Sequence, residues 1–392
     1  MKKVALIVGL AAALGFNNAE AVDWNWKGDV RERWEYQKKP KDSNPDIPST
    51  SRARTRVRLG VYPWINDELS AGVQISTGND DPLETISRNQ NFGSLFQPKS
   101  IYLNEEFIDY HPTFLDNKVN LILGKRDGSN TIIRVDNLVY DSDLTFEGAT
   151  LQYGKDSDGK EKDGPIAIAG YYLLNSWSSS SYYDPALYVV QGAYKGDIND
   201  LSYLVGAGFN YYENLNNLRI DGDLSAIGKA GNGTYNTTPG VSPFANSAYK
   251  IVELFGKIGG QITEKLPWKV YGQYAFNTAN ALPIYENRRK AWLTGVTIGD
   301  AKQVGDWALD FKYDRIERNS VFPLFTDSDR KVGSATLPET AIVNVKGYEI
   351  AGTYHLVQNF TLGARYFNYN NIDKQAGNPK LNQLQLDALV KF

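Results

Sequence analysis

The stretch QLQLDALVKF, Gln383 to Phe392, alternates polar and apolar side chains to its last residue. On an extended chain Leu384, Leu386, Ala388, Val390 and Phe392 fall on one face, and Gln383, Gln385, Asp387 and Lys391 on the other. A strand that is greasy on one face and wet on the other belongs to a sheet with water on one side only. The stretch Trp24 to Tyr36 has the same build. Trp24, Trp26, Val30, Trp34 and Tyr36 share one face, and Asn25, Lys27, Asp29, Arg31, Arg33 and Glu35 share the other. Glu32 alone breaks the pattern, and a rim or a subunit contact would accommodate such a charge.

Working outward from these two stretches, the period stays close to two. Sixteen alternating segments emerge: 24–36, 51–62, 68–78, 99–110, 117–126, 145–154, 164–175, 186–195, 200–212, 248–262, 267–278, 289–300, 305–317, 343–355, 360–371 and 381–392. The connections alternate in length. Those at 63–67, 111–116, 196–199, 263–266, 301–304 and 356–359 are short. Those at 37–50, 79–98, 127–144, 213–247 and 318–342 are long and rich in Asn, Asp, Ser, Gly and Pro. The connection 155–163 reads as a solvated hairpin tip. An even number of strands with alternating short turns and long loops is the pattern of a membrane β-barrel. The expected fold is therefore all-β: a transmembrane antiparallel barrel of about 16 strands, with short periplasmic turns and long extracellular loops. Trp24, Trp64, Trp268 and Trp307 fall near periplasmic strand ends, and Trp34 and Trp292 near outer ends, where aromatic girdles sit.

Composition agrees. Tyr (25) exceeds Phe (16), Trp reaches 8, and there is a single Met. The 392-residue chain has no Cys, so neither a disulfide framework nor a thiolate metal site is expected. The start of the chain reads as an address. Lys2 and Lys3 precede the apolar run Val4 to Leu14, and Ala19-Glu20-Ala21 offers a small-residue cleavage site. Residues 1–21 are expected to be a signal peptide and 22–392 the outer-membrane barrel of a Gram-negative bacterium. Removing Lys2, Lys3 and Glu20 changes the net charge from −3 to −4, which implies no nucleic-acid partner. With two residues between the cleavage site and Trp24, no plug domain is expected ahead of the barrel. The aromatic carboxy terminus, Phe392, is the expected assembly signal for the barrel-assembly machinery.

Several stretches resemble a bacterial outer-membrane family labelled "putative porin". The strongest is GDWALDFKYDRIERNSVFPLFTDSD, Gly305 to Asp329. It is joined by VKGYEIAGTYHLVQNFTLGARYF, Val345 to Phe367, and LQLDALVKF, Leu384 to Phe392. IYLNEEFIDYHP, Ile101 to Pro112, LILGKRD, Leu121 to Asp127, and NLVYDSDLTFEGATLQY, Asn137 to Tyr153, also fit. Asn319-Ser320 stands where the family would have an acidic residue followed by a small one, and the helical periplasmic segment of some relatives does not precede this barrel. The resemblance implies a pore and names no solute.

The residues themselves suggest where a pore would be charged. In SRARTRVRLGV, Arg52, Arg54, Arg56 and Arg58 alternate with Ala53, Thr55, Val57 and Leu59. Arginine against lipid costs about 2–4 kcal/mol at the bilayer midplane, so the Arg face is expected to line the lumen. Arg31 and Arg33 on the neighbouring strand should join it. Six guanidinium groups on one wall would set up a field across the pore and bias it toward anions. The plainer alternative is that neighbouring carboxylates neutralise them. The third long connection, 127–144, offers Asp127, Asp136, Asp141 and Asp143 as counter-charges. Its apolar residues Ile132, Ile133, Val135, Leu138 and Val139 suit a loop folded inward as a constriction, with an ordinary solvated loop as the alternative.

No enzyme is expected. The two histidines, His111 and His355, lie beside periplasmic turns without an evident nucleophile. Asp327-Ser328-Asp329 lacks a full Ca²⁺-ligand loop and reads as solvated. No cofactor or metal is implied. The leading expectation is a porin for passive diffusion of small hydrophilic solutes. Two alternatives stay open: a substrate-selective channel for anionic or sugar ligands, and a closed structural or adhesin barrel. The expected partners are outer-membrane lipid and lipopolysaccharide, the barrel-assembly machinery, the solutes, and further copies of the chain in a homotrimer.

Overall fold

The computed structural model describes residues 22–392 apart from 40–45, 47, 79–84, 177–182, 216–217, 219–248, 280–287, 334–339 and 374–377. The proposed signal peptide, 1–21, and most of the connection 213–247 lie outside the described residues. Sixteen long strands are described: β1 (Asp23–Lys38), β2 (Thr50–Asn66), β3 (Leu69–Thr77), β4 (Ile101–Tyr110), β5 (Val119–Asp127), β6 (Thr145–Tyr153), β7 (Gly164–Leu173), β8 (Ala186–Ile198), β9 (Leu201–Glu213), β10 (Tyr249–Thr263), β11 (Leu266–Asn277), β12 (Lys290–Gly299), β13 (Trp307–Ile316), β14 (Val345–Val357), β15 (Phe360–Asn371) and β16 (Lys380–Lys391). Each pairs antiparallel with its sequence neighbours, and β1 pairs with β16, in register from Asp29 opposite Lys391 to Lys38 opposite Asn382. The ring is therefore closed, and the unpaired edges of an open sheet are absent from it. All sixteen expected segments are strands, with ends displaced by up to four residues.

Both ends of the ring meet at the short-turn rim. The Gly28 and Phe392 backbones exchange hydrogen bonds of 2.8 and 3.1 Å. Between β3 and β4, the two-residue strand Gln90–Asn91 pairs with Arg54 and Thr55, extending the sheet where β3 has already ended. Among the described residues no helix is long and apolar enough to cross a membrane; the spanning elements are strands.

Alternation gives the wall two faces. Val57, Leu59, Leu121, Leu123, Val190, Leu254, Leu309, Phe311, Leu386 and Val390 are exposed on the outside, the apolar band that lipid requires. Trp24, Trp34, Trp292 and Trp307 are exposed on that same face near its rims. Trp64 departs from the girdle expected of it: it shares the parity of the Arg ladder and points inward, its ring meeting His111 edge-on at 4.8 Å. Position near the rim was correct; parity put the ring on the other face.

The interior is not uniformly wet. Phe146, Ile166, Ile168, Leu187, Val189, Leu204 and Ile251 on β6 to β10 are buried together with Ile132, Ile133, Leu138 and Val139 of the connection 128–144 and Val321 and Phe322 of the connection 317–344. Two long loops thus fold into the barrel and cover an apolar inner wall. The opposite wall, from β13 through β16 to β2, carries the charges.

Candidate functional site: a charged path beside two inward loops

The six arginines share one side of the wall, and their side chains meet carboxylates on both the wall and the loops. Arg33 grips Asp387 with two hydrogen bonds, at 2.6 and 2.8 Å, and lies 3.7 Å from Asp329. Arg52 and Arg54 share Glu35, at 2.5 and 3.5 Å. Arg56 and Arg58 share both Asp29 and Asp143, at distances from 2.6 to 3.4 Å. Arg31 donates to the Asn89 side chain at 2.7 Å. Five of the six therefore have a carboxylate within 4 Å. This is the neutralised arrangement that was the alternative to a bare cationic wall, and it is what burial demands: a guanidinium out of bulk water needs a partner.

The four aspartates of 127–144 do not act as one group. Asp143 alone reaches the Arg ladder. Asp127 ends β5 and caps the helical turn α1 (Gly128–Thr131), accepting from the Ser129 N–H at 2.9 Å. Asp136 reaches the far end of the charged wall and binds Lys312 of β13 at 3.0 Å. Asp141 turns back on its own loop, accepting from the Asp143 N–H at 2.7 Å. These partners suit the titration of the loop. Burial raises the Asp136 carboxyl, but Lys312 outweighs it and holds the group down at about 2. Asp143 is buried too, and Arg56, Arg58 and Arg31 keep it below the usual carboxylate range. Asp141 is pushed up by burial and by the nearby Asp327 and Asp143 charges.

The connection bridges the lumen. Gln191 of β8 bonds both the N–H and the carbonyl of Ile133, at 2.8 and 3.0 Å, and Tyr140 donates to Asn210 of β9 at 2.9 Å. The Lys155 ammonium donates to the carbonyls of Ser129 and Ile132 at 2.9 and 2.8 Å. With Asp143 on β2 and Asp136 on β13, and with Gln191 and Asn210 on β8 and β9, the loop touches the charged wall and the apolar one.

Asp327-Ser328-Asp329, expected to be solvated, belongs instead to a second connection that folds inward, with Asp327 buried. In 317–344, Thr326, Asp327 and Arg330 are buried inside the barrel. Arg330 lies 2.9 Å from Asp314 of β13, both side chains fully enclosed, and donates to the Asn137 carbonyl at 2.9 Å. The Asp141 N–H donates to the Phe325 carbonyl at 2.7 Å, which ties the two loops together. Phe322 stacks on Tyr212 at 5.0 Å and meets Phe325 at 4.8 Å. The signal for this burial was legible: Val321, Phe322, Leu324 and Phe325 form an apolar run of the same kind as 132–139. Asp329 at the end of the run faces Arg33, Arg365 and Arg54, which outweigh its burial and hold its carboxyl low.

Three cavities adjoin along the charged wall. The one nearest the long-loop rim, about 230 Å³, is lined by Gln37, Lys39, Arg52, Arg54 and Lys331 and shares Ser87, Ser328 and Asp329 with the next. The middle cavity, about 230 Å³, lies between Arg31, Arg33 and Arg56 on the wall and Asp141, Asp143 and Asp327 on the loops. It shares Asn137, Ser142, Thr353 and Arg365 with the third, about 590 Å³, which reaches Gly159 to Glu161 in a short-rim connection. His111 and His355 lie at the short-turn rim, His111 buried 3.9 Å from Asp109 and His355 3.2 Å from the Ala301 carbonyl.

Comparison with known proteins agrees with this architecture. A family model described as "Putative porin" matches residues 16–239 and 259–392. No curated protein sequence matches. Among solved structures, the chain is similar to OprB of Pseudomonas putida (TM-score 0.57, 11% identity, 94% of each chain covered). It is also similar to the outer-membrane channel DcaP of Acinetobacter baumannii (TM-score 0.53, 12% identity, 96% of this chain and 99% of that one). A third is OmpF of Salmonella typhi in complex with daunomycin (TM-score 0.50, 11% identity, 94% and 97%). At these identities the neighbours speak for the fold, a closed outer-membrane barrel. With the family model matched along most of its length and its strands closed into a ring of sixteen, this chain belongs to the outer-membrane porin family described as "Putative porin".

Proposed function

We propose that the protein is a diffusion porin for small hydrophilic solutes, with its selectivity set where the two inward loops face the arginine wall. The observation that carries this reading is the run of three adjoining cavities, polar for most of their lining, from the long-loop mouth to the short-turn rim. A transverse arrangement of cations and carboxylates orients a dipolar solute without binding it tightly. In this reading Arg31, Arg33, Arg52, Arg54, Arg56 and Arg58 line the pore, and Asp143 and Asp329 set the opposing side. The ion pairs at the middle cavity leave little net charge there, so an anion bias would come from the long-loop mouth and be modest. The barrel-assembly machinery would receive the chain through Phe392, with outer-membrane lipid and lipopolysaccharide around the finished wall. Exposed Glu32 on the lipid-facing side of β1 favours association of copies in a homotrimer, where a neighbour would shelter the charge. The test is single-channel recording of purified protein in planar bilayers, with swelling of proteoliposomes in neutral sugars. Stepwise KCl conductance with sugar-dependent swelling is expected; a barrel that inserts and stays closed to both sinks the reading.

A further inference from the structure

The cavity at the long-loop mouth has a different charge balance from the rest of the path. Among the described residues, four cationic side chains line it, Lys39, Arg52, Arg54 and Lys331, with one carboxylate, Asp329, in the same lining. That carboxylate is already drawn toward Arg33, 3.7 Å away. Among the described residues, Arg52 and Arg54 share one carboxylate within 4 Å, Glu35, at 2.5 and 3.5 Å. The Arg54 Nε is buried with no hydrogen-bond partner, and its Nη2 makes only a long 3.4 Å contact to the Ser87 hydroxyl. A buried guanidinium N–H left unmet is costly, and an incoming oxygen would satisfy it. Lys39 suffers from the same crowding: burial, with Lys331 and Arg52 adding repulsion, pushes its ammonium down to about 8. Like charges held together in a half-enclosed pocket of about 230 Å³ are the condition that a small multivalent anion relieves.

We propose that this pocket is a saturable capture site for small dianions bearing carboxylate or phosphate groups, in which the Lys39 and Lys331 ammonium groups and the Arg52 and Arg54 guanidinium groups hold the anionic oxygens before the solute moves on to Arg33 and Arg31. This rests on the diffusion-porin reading and adds a substrate class to it. Gln37 and Gln383 complete the rim with donors that do not compete for charge. The site stands at the mouth, so a solute held there blocks the small ions behind it.

The experiment records KCl current through the wild-type channel while malonate, inorganic phosphate or glucose is added. A saturable fall in current with malonate or phosphate, and none with glucose, is expected. The double variant Lys39→Gln, Lys331→Gln should raise the half-blocking concentration about tenfold or more, the loss of charge-assisted hydrogen bonds. Lys302→Gln, at the opposite rim, should not. Isothermal titration of malonate into the detergent-solubilised protein gives the same comparison without conduction. Current that changes only in proportion to added ionic strength, without saturable block, and titration without saturable heat, overturn the site while the pore stands. Absence of any KCl conductance overturns the pore and the site with it. Should the double variant fail to fold, Arg52→Gln in the same measurements replaces it, with the same direction expected.

Discussion

At the residue scale, the charges inside this barrel are shared between wall and loops. The Arg ladder follows from parity, but its field is set by Glu35, Asp29 and Asp143, each of which serves two guanidinium groups. Arg31 differs, since its partner is the neutral Asn89. Arg31→Glu should therefore shift the zero-current potential under a KCl gradient toward cation preference; an unmoved potential with conductance intact would place Arg31 away from the ion path. Lys39 makes the mouth pH-sensitive. Its ammonium, held at about 8 by burial, Lys331 and Arg52, loses its proton as pH rises through that value. Block by malonate, which stays doubly charged throughout, should weaken between pH 7 and 9. In Lys39→Gln that slope should flatten, and a slope identical to wild type counts against Lys39 as a ligand.

At the element scale, the two inward loops behave as one plug-like unit held by a buried ion pair and an aromatic cluster. Arg330 and Asp314 are both fully enclosed. Arg330→Ala should strip the buried Asp314 of its ion-pair partner, leaving the Tyr369 hydroxyl at 2.9 Å, and cost about 3–5 kcal/mol, seen as a lower melting temperature and a larger, noisier single-channel conductance. The pair Arg330→Met with Asp314→Leu should recover much of the loss. If the single variant changes neither melting nor conductance, the loop is not held by this pair. The strands carry a constraint of their own. Gly124 in β5 has φ +111°, and an added Cβ would sit 2.2 Å from the Glu106 carbonyl oxygen. Gly124→Ala should therefore destabilise the β4–β5 pairing by about 1–3 kcal/mol, read as earlier loss of the compact form on heated gels. No change in that temperature would mean the backbone relaxes there at little cost.

At the scale of the whole molecule, closure is the event that joins β1 to β16, and the last residue takes part in it. Phe392 exchanges two backbone hydrogen bonds with Gly28, and its ring lies so near Gly28 that a Cβ there would come within 2.7 Å of it. Deleting Phe392 should sharply reduce heat-modifiable, protease-resistant barrel in the outer membrane, and Gly28→Val should do so more mildly. Wild-type levels of assembled barrel in the deletion would remove Phe392 from any role in assembly.

The sequence by itself determined the strand count, the antiparallel order and, for the Arg ladder and the outward apolar band, the side of the wall, because a period of two and the cost of charge in lipid act locally and repeat along the chain. That is why Arg52 to Arg58 could be assigned a face, and why only a single parity miss, Trp64, moved a girdle ring indoors. The tertiary structure alone decided which acids meet which bases. Asp136 on Lys312, Asp143 on Arg56 and Arg58, and Asp329 beside Arg33 are contacts between loop and wall, set by how two loops bury their apolar runs against β6 to β10. No local periodicity encodes a contact between residues nearly two hundred positions apart such as Arg330 and Asn137. Apolar runs at 132–139 and 321–325 mark both loops for burial, but the path left beside them exists only once the ring has closed.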